Sequence, residues 1–380
     1  MNAMHRCWVE VNLDALRENL AWIRHRVGPV VKILTVVKAD AYGHGLKQIA
    51  ALLMQSGTDM FGVANLAEAR AIRAVGRGWP VLMLGALLPE ELEPAVRDQV
   101  RATLSTPEEA RRLSEVAVRL RKKAVVHVKV DTGMGRLGAP VGEAAALAAL
   151  VRELPGLELE GLYSHYASAE DDAAFAAEQA RCFRDALEAV SAGGGEVPLV
   201  HMNNSAALLH EAGTMFDMVR PGLLVYGISP GGARVEESGL KRKLQPALEW
   251  RARVALVKEV SRGTRLSYGG TFVAPRRMRV ATVTAGYGDG YLRSGSGRVE
   301  VLVRGGRCAV LGRITMDQLL ADVSAVDGAA AGDDVVLLGE QDRQRITASD
   351  LAEWCGTIPW EIVTAIHHRV PRIYRGGHAA

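Results

Sequence analysis

The stretch Val30–Gly45, VVKILTVVKADAYGHG, places Lys38 directly after an apolar run and before Asp40, Tyr42 and His44. An apolar, β-branched run bounded by polar residues and glycine predicts a buried strand. In parallel α/β proteins, ligands bind at the carboxyl ends of such strands. Burial lowers the pKa of a lysine and makes its amine nucleophilic, as Schiff-base chemistry requires. The competing interpretation is a lysine that extends from a strand end into water.

Between residues 13 and 242, eight short apolar runs alternate with amphipathic segments rich in Ala, Leu, Arg and Glu. Eight strand–helix repeats in little more than 200 residues predict a (β/α)8 TIM-like barrel. The alternative, a doubly wound open sheet, would need a G-x-G-x-x-G turn after the first strand, and the sequence has none there. The predicted strands are Ile33–Val37, Met60–Ala64, Val81–Gly85, Arg101–Ser105, Val125–Val130, Leu159–Ser164, Leu199–Asn203 and Phe216–Arg220.

After Gln245, short strands and glycine-rich turns replace this pattern, which predicts a mostly antiparallel β domain with one late helix at Ala348–Cys355. We therefore expect a barrel over residues 11–243 and a β domain over 244–380, with the linker Ser229–Gly239 near the boundary. Residues 1–10 contain a further predicted strand, which we expect to pair with the β domain. Predicted helices in the barrel are Leu46–Gln55, Leu66–Val75, Pro107–Leu120, Glu143–Glu153 and Ala173–Ala192.

Composition restricts the possible classes of function. The formal charge of +3 over 380 residues is too small to indicate nucleic acid or a membrane surface as a partner, and no apolar stretch is long enough to span a bilayer. The first residues, MNAMHRCWVEVNL, lack a signal-peptide core, so we expect a cytoplasmic protein. The ten histidines include no HExxH pair, and we predict no metal. The cysteines, expected to be reduced, are Cys7, Cys182, Cys308 and Cys355.

Polar side chains follow five of the eight predicted barrel strands, at the end where active sites form. Ser205 precedes an apolar helical segment, and Pro221–Gly222 follows the eighth strand; the loops after strands seven and eight are the usual phosphate site in such barrels. A reactive lysine together with a phosphate site points to pyridoxal 5′-phosphate (PLP). The strand-end residues are Lys38, Asp40, Tyr42, Lys129, Asp131, Thr132, Arg136, His165, Tyr166, His201, Asn203, Asn204, Ser205 and Arg220.

Nine motifs, in order along nearly the whole chain, resemble those of alanine racemases, which are PLP enzymes of fold type III. They are VVKADAYGHG, HVKVDTGMGRLG, SHYASAE, NNSAA, VRPGLLVYG, LSYGGTF, GYGDGY, GRITMDQ and HHRVPR. Nine ordered motifs are far more specific than any single motif. The resemblance implies PLP-dependent interconversion of L-alanine and D-alanine, which supplies D-alanine for peptidoglycan.

The resemblance also implies roles for individual residues. Lys38 would carry PLP covalently, His165 would pack near its ring and Arg220 would face the pyridine nitrogen. Arg136 would contact the phenolic oxygen or the substrate carboxylate, and Lys129 would be carbamylated; the simpler interpretation of Lys129 is an ion pair with a neighbour such as Asp131. The residues that would surround the phosphate are Tyr42, Asn204, Ser205, Gly222 and Leu223.

Racemisation needs two bases because the α-proton lies on opposite faces of the two enantiomers. By resemblance, Lys38 would serve the D face and Tyr268 the L face, supported by a chain from Tyr268 through His165 to Arg220. In the family this tyrosine reaches the active site of the other subunit, which implies a homodimer with shared active sites. Tyr287, at the entrance, and Met316 and Asp317, beside the substrate, would also border the pocket.

Two positions depart from the family pattern. Trp360 stands in IPWE where a tyrosine that touches the phosphate is common, and Thr315 stands where cysteine is frequent. These departures bear on the substrate range and the phosphate geometry, not on the reaction class. The alternatives are a racemase of the same fold with broader substrate range, a type III amino-acid decarboxylase, a non-catalytic PLP carrier and a cofactor-free aldolase barrel. A decarboxylase of this type would not be expected to carry a second base such as Tyr268. A non-catalytic PLP carrier resembles the barrel alone, without the long β domain. The phosphate site argues against the aldolase.

Overall fold

The computed structural model describes residues 5–210, 214–230 and 244–377 and arranges them as a barrel and a β domain. The described strands are β1 Cys7–Asn12, β2 Lys32–Val36, β3 Met60–Val63, β4 Val81–Met83, β5 Ala102–Leu104, β6 Ala124–Asp131, β7 Ala139–Pro140, β8 Leu157–Tyr163, β9 Leu199–Asn204, β10 Met218–Arg220, β11 Leu248–Val260, β12 Arg265–Leu266, β13 Phe272–Val273, β14 Met278–Val283, β15 Glu300–Val303, β16 Gly306–Ala309, β17 Leu319–Asp322, β18 Asp334–Gln341, β19 Gln344–Ile346 and β20 Arg372–Arg375.

The described helices surround the barrel strands and cap one side of the β domain. They are α1 Leu13–Val27, α2 Leu46–Met54, α3 Leu66–Val75, α4 Leu92–Arg97, α5 Pro107–Arg119, α6 Ala144–Glu153, α7 Ala173–Ala192, α8 Ser205–His210, α9 Ala348–Cys355 and α10 Pro359–Thr364. The predicted start of α5 has a physical cause: Glu109 N donates to Thr106 Oγ1 (3.2 Å), and Thr106 N donates back to the Glu109 carboxylate (3.1 Å), which forms a capping box. In the described part of the chain, no helix is long and apolar enough to cross a bilayer.

Eight parallel strands form the barrel in the order β4-β3-β2-β10-β9-β8-β6-β5. An isolated parallel bridge between Leu82 and Arg101 links the two outer strands and nearly closes the sheet. Each of the eight predicted apolar runs overlaps one of these strands, so the predicted barrel is confirmed and the open-sheet alternative is wrong. Closure places the carboxyl ends of all eight strands around one opening.

The β domain is built around the long strand β11, which pairs antiparallel with β1, β14 and β18. Strand β1 also pairs in parallel with β20, so segments at the two ends of the described chain lie side by side. The predicted mostly antiparallel domain is confirmed. The boundary between residues 243 and 244 stays a prediction, because residues 231–243, which include most of the predicted linker, lie outside the described ones.

Polar rings occupy part of the barrel interior, and Gly161 on β8 makes room for them. A Cβ atom on Gly161 would lie 2.6 Å from Cε1 of His127, whose ring is fully buried. Because glycine has no side chain, the His127 imidazole can lie against the β8 backbone. In many other barrels, aliphatic side chains fill the interior instead.

We expect Gly161→Ala to destabilise the fold by about 1–3 kcal/mol or more, because the added methyl group must displace the His127 ring or the β8 backbone. Urea unfolding followed by circular dichroism measures the loss. Gly142→Ala is the matched control, since a Cβ there meets no heavy atom within 4 Å. Equal stability of the two variants would contradict this explanation of Gly161.

Candidate active site

A cavity of about 630 Å³ opens at the carboxyl ends of the barrel strands. It contains almost all the barrel residues that the sequence singled out for a cofactor or substrate. It is also lined by residues that the sequence did not single out, among them Tyr163 and Glu170. The predicted site residues in its wall are Lys38, Tyr42, Lys129, Arg136, His165, Asn204, Ser205, Arg220, Gly222 and Leu223.

Lys38 follows β2 by two residues and is partly buried at the cavity wall. Burial, together with the positive charge of Arg136, lowers the pKa of its amine, and the nearby Glu68 carboxylate opposes that shift. A larger share of the amine is therefore neutral near pH 7 than for a lysine in water. A neutral amine is both a nucleophile and a base, as covalent cofactor attachment and proton transfer require.

The chain turns left-handed immediately after Lys38. The four residues Ala39–Tyr42 all have φ of 53° or 54°, a region that costs roughly 1–2 kcal/mol per residue other than glycine. Contacts from other elements offset this cost. Ala39 N donates to the Glu68 carboxylate and Leu46 N to Asp40 Oδ1, both at 2.7 Å. Asp40, placed in the site from sequence, therefore holds the turn that aims Lys38 into the cavity.

Tyr42, Ser205 and Gly222 form a small polar cradle at one side of the cavity. Gly222 N donates to Ser205 Oγ (2.8 Å), and a Cβ on Gly222 would lie 2.5 Å from the Tyr42 hydroxyl. Asn204 caps the adjoining helix α8 by accepting a hydrogen bond from Ala207 N (2.9 Å). Two hydroxyls beside a side-chain-free backbone leave space and donors for a phosphate group, so the residues present fit PLP.

Arg220 is almost fully buried behind the cavity and is held by four acceptors. Nη2 donates to Ser164 O (2.6 Å), Met202 O (3.0 Å) and His165 Nδ1 (3.1 Å), and Nη1 donates to His201 Nδ1 (2.7 Å). Burial lowers the pKa of Arg220 to about 10, which still leaves a cation near neutral pH. Because His165 Nδ1 accepts this bond and burial keeps the ring neutral, the His165 proton resides on Nε2.

Lys129 is buried beside this group, with its Nζ 5.6 Å from the centre of the Tyr163 ring. Burial and the positive charges of Arg136 and Arg220 lower the pKa of its amine to about 8. Asp131, the partner that the simpler interpretation offers, accepts hydrogen bonds from the backbone N–H groups of Gly133 and Gly135. Lys129 therefore has the low amine pKa that reaction with carbon dioxide needs.

The predicted site residues of the β domain do not line this cavity. Tyr268 is 68% exposed and Met316 is 53% exposed, and Asp317 forms an ion pair with Arg369 (2.8 Å). Ser267, directly before Tyr268, has φ of 60° and donates from Oγ to Arg313 O (2.5 Å), which ties this turn to the segment around Arg313. The described chain thus presents Tyr268 outward, away from its own cavity.

The sequence analysis did not single out His127 and Glu160. His127 contacts the predicted His201, and Glu160 contacts His127. His201 lies in the barrel interior behind Arg220 and does not line the cavity. The signals in the sequence were a histidine and a glutamate inside otherwise apolar strands, in VVHVKV and LELEGLY.

A nearly closed parallel barrel joined to a β domain, a lysine of lowered pKa and a phosphate cradle define this protein as a PLP-dependent enzyme of fold type III. Comparison with known proteins identifies the family within this class of enzymes. The family model "Alanine racemase, N-terminal domain" matches residues 11–230, and "Alanine racemase, C-terminal domain" matches residues 247–374. The chain belongs to the alanine racemase family.

Individual relatives resemble the chain over nearly its whole length. The alanine racemase of Geobacter sulfurreducens is 44% identical over 96% of each chain, and that of Halothermothrix orenii is 39% identical over 97% of this chain and 96% of its own. Among solved structures, the alanine racemase from D-cycloserine-producing Streptomyces lavendulae superposes with a TM-score of 0.93 at 36% identity, covering 99% of both chains. The Bacillus anthracis enzyme with bound L-Ala-P superposes with a TM-score of 0.91 at 35% identity, covering 100% of this chain and 97% of its own.

We expect Gly222→Ala to weaken PLP binding at least about tenfold, because its methyl group would occupy the cradle against the Tyr42 hydroxyl. Titration of the apoprotein with PLP, followed by visible absorption, gives the dissociation constant. Gly193→Ala, at the end of α7, serves as the control, since its Cβ would meet nothing closer than 3.6 Å. Unchanged affinity in Gly222→Ala would exclude this cradle as the phosphate site.

Proposed function

We propose that this protein racemises alanine with two bases, Lys38 and the partner subunit's Tyr268, on opposite faces of the substrate. Alanine racemisation with PLP is the activity of the family, and its product D-alanine is used in peptidoglycan synthesis. The observation that carries the residue assignment is the position of Lys38. Its amine of lowered pKa enters a cavity that also holds a phosphate cradle and a buried arginine.

Several residues would hold PLP in this cavity: Lys38 covalently, Tyr42, Ser205 and Gly222 at the phosphate, and Arg220 at the ring nitrogen. When bound, PLP withdraws electrons from the α-carbon of the amino acid and so makes the α-proton easier to remove. Arg220 only donates hydrogen bonds and keeps its proton, so it leaves the ring nitrogen unprotonated. This weakens the electron withdrawal and limits side reactions such as transamination.

Lys38 would act as one base when its amine is not joined to the cofactor. Its lowered pKa increases the share of neutral Nζ, which can accept the α-proton from the D face and return a proton there. Arg136 supplies a positive charge at the same wall for the substrate carboxylate, and the partner's Met316 and the partner's Asp317 border the substrate.

The partner subunit's Tyr268 acts as the second base. A phenol has a pKa of about 10, so it needs a hydrogen-bond donor that favours its ionised form. His165 meets this need, because Arg220 holds its Nδ1 as an acceptor and leaves the Nε2 proton free to point into the cavity. A charge-assisted chain from Arg220 through His165 to the tyrosine oxygen results.

This arrangement requires a homodimer in which each β domain completes the other subunit's active site. Support comes from Tyr268 and Met316, which are exposed large side chains at a distance from their own cavity. Large side chains exposed at the surface are typical of a protein interface. We also propose a cytoplasmic location, consistent with four cysteines that are all free thiols in the described chain.

A racemase of broader substrate range is the second candidate, and Trp360 is the observation that favours it. Trp360 and Ile358 line the cavity at its mouth, where the family commonly has tyrosine. An indole donates one hydrogen bond and accepts none, so it changes both the shape and the polarity of the entrance. Comparing turnover of L-alanine with that of L-serine decides between a selective and a broad enzyme.

Incubation with PLP and L-alanine in deuterated water tests the proposal directly. We expect deuterated D-alanine from the wild type. Tyr268→Phe should lose α-proton exchange from L-alanine at least about 100-fold while D-alanine still exchanges, because only the L-face base is removed. Chiral chromatography with mass spectrometry measures both reactions.

Lys38→Ala is the matched variant, and it should lose both covalently bound PLP and exchange from either enantiomer. Retained covalent PLP would disprove the assignment of Lys38. Equal loss of exchange from the two enantiomers in Tyr268→Phe would disprove the two-base scheme.

Carbamylation of Lys129 gives a prediction with a pH dependence. The neutral amine adds carbon dioxide and releases one proton, so modification is favoured as pH rises through the amine pKa of about 8 and is lost below it. With 13C-bicarbonate, NMR should show a carbamate signal that grows between about pH 7 and 9. Lys129→Gln should abolish the signal, and Lys122→Gln, an exposed neighbour, should keep it. A signal that survives in Lys129→Gln would refute the site.

A further inference from the structure

A continuous chain of hydrogen bonds crosses the barrel interior behind the active site, from Arg220 to Glu160. Arg220 Nη1 lies 2.7 Å from His201 Nδ1, and His201 Nε2 lies 2.8 Å from His127 Nδ1. His127 Nε2 then lies 2.8 Å from the Glu160 carboxylate. The four residues come from β10, β9, β6 and β8, so the chain crosses half the barrel.

At the far end of the chain, Glu160 forms a partly buried ion pair with Arg101. Arg101 donates from Nε and Nη2 to the two carboxylate oxygens of Glu160, at 2.6 and 2.9 Å. Burial raises the pKa of the Glu160 carboxyl, but the bonds from His127 and Arg101 outweigh burial and lower the pKa to about 2. Glu160 is therefore a carboxylate at every pH near neutrality, and such a carboxylate only accepts hydrogen bonds.

The two ends of this hydrogen-bond chain determine which nitrogen of each imidazole carries the proton. A guanidinium only donates, so His201 Nδ1 is an acceptor and its proton is on Nε2. That proton points at His127 Nδ1, which leaves the His127 proton on Nε2, facing Glu160. Burial lowers the pKa of both rings, in keeping with neutral imidazoles. All donors point from Arg220 toward Glu160.

The residues packed around this hydrogen-bond chain leave room for both imidazole rings. Gly161 admits His127, and the Tyr163 ring stacks on His201 with 4.7 Å between centroids and 9° between planes. The Tyr163 hydroxyl lies 2.7 Å from Thr103 Oγ1, and Arg220 lies over the same tyrosine ring at 5.1 Å. The carboxylate is thus joined to Arg220 by rigid, well-packed groups.

We propose that Glu160 is a positioning residue for the reaction: through His127 and His201 it fixes the orientation of Arg220 at the cofactor. The inference rests on the proposed function, in which Arg220 donates to the ring nitrogen. Without the acceptor at Glu160, the His127 Nε2 proton loses its partner, and reversing both tautomers would give the His127 proton a new acceptor at His201 Nε2. A proton on His201 Nδ1 would then face the Arg220 donor and push the guanidinium from its place. Glu160 touches neither substrate nor cofactor.

Two substitutions separate the hydrogen bond from the charge. Glu160→Leu removes the acceptor for His127, whereas Glu160→Gln keeps an acceptor oxygen and removes only the charge. We expect Glu160→Leu to weaken PLP binding to the apoprotein about tenfold and to shift the visible absorption band of bound PLP, by analogy with outer-shell partners elsewhere. Glu160→Gln should recover most of the affinity and the band position.

Asp59→Leu is the matched control, because Asp59 is also a carboxylate paired with an arginine, Arg24 (2.5 Å), at the amino-terminal side of a barrel strand. Asp59→Leu should lower the free energy of unfolding but leave the absorption spectrum of bound PLP unchanged. In an Arg220→Lys background, Glu160→Leu should change the affinity for PLP by no more than about twofold, since both act through one group. A full tenfold effect in that background, or an unshifted band in Glu160→Leu, overturns the proposal.

A measurement on the wild-type apoprotein tests the inference even if the leucine variant does not fold. With 15N-labelled histidine, the NMR signals of His127 and His201 should each report a neutral ring with its proton on Nε2. A proton on Nδ1 of either ring overturns the proposal. Because this readout needs neither cofactor nor turnover, it is independent of the isotope-exchange experiment, which tests the racemase itself.

Discussion

A buried guanidinium that cannot give up its proton constrains the whole active site. Arg220 is 3% exposed, so its N–H groups need acceptors in place of water. The carbonyls of Ser164 and Met202 and the rings of two histidines accept hydrogen bonds from Nη1 and Nη2, and a remaining N–H group would serve the PLP ring nitrogen. Each of these acceptors is held in one orientation in return, and the tautomers of His165 and His201 follow without further choice.

Burial, together with nearby positive charge, explains why the two neighbouring amines have low pKa values. Positive charge from Arg220 and Arg136 adds to burial around Lys129, and Arg136 adds to burial around Lys38. Placing two guanidinium groups and two amines around one cavity is costly for the apoprotein unless the amines are partly neutral. A dianionic phosphate and a substrate carboxylate relieve that repulsion, so the charge that destabilises the empty cavity is the charge that binds ligands.

Much of the fold followed from hydrophobic periodicity. All eight barrel strands were predicted to within a few residues, and α3, α7 and α9 agree at both ends, because each of these helices begins after a capping side chain, Asn65, Asp172 or Thr347. Helix α10 and strand β20 were missed, since Pro359–Thr364 and Arg372–Arg375 are too short for a period to show. Most of the site lay at predictable strand ends.

Other features depend on contacts between distant segments and could not be predicted from local sequence. Nothing in Ala39–Tyr42 indicates a left-handed turn, because alanine disfavours that conformation and only Glu68, Leu46 and more distant residues make it stable. Glu160 and His127 were missed for a related reason. Each is a polar residue in a strand whose partner lies on another strand, and the local sequence does not show which residue that partner is. His201 was expected at the barrel mouth and lies inside it.

The left-handed turn after Lys38 has a consequence for the order in which the protein matures. Arg372 donates from Nε to Gly43 O (3.0 Å), and the Tyr374 hydroxyl donates to His44 O (3.1 Å), across 329 and 330 residues of chain. On the ribosome, the barrel is made long before these two side chains exist. The segment that follows the turn therefore gains these two hydrogen bonds only when strand β20 docks, so the loop beside Lys38 is held less firmly in an unfinished chain with a complete barrel.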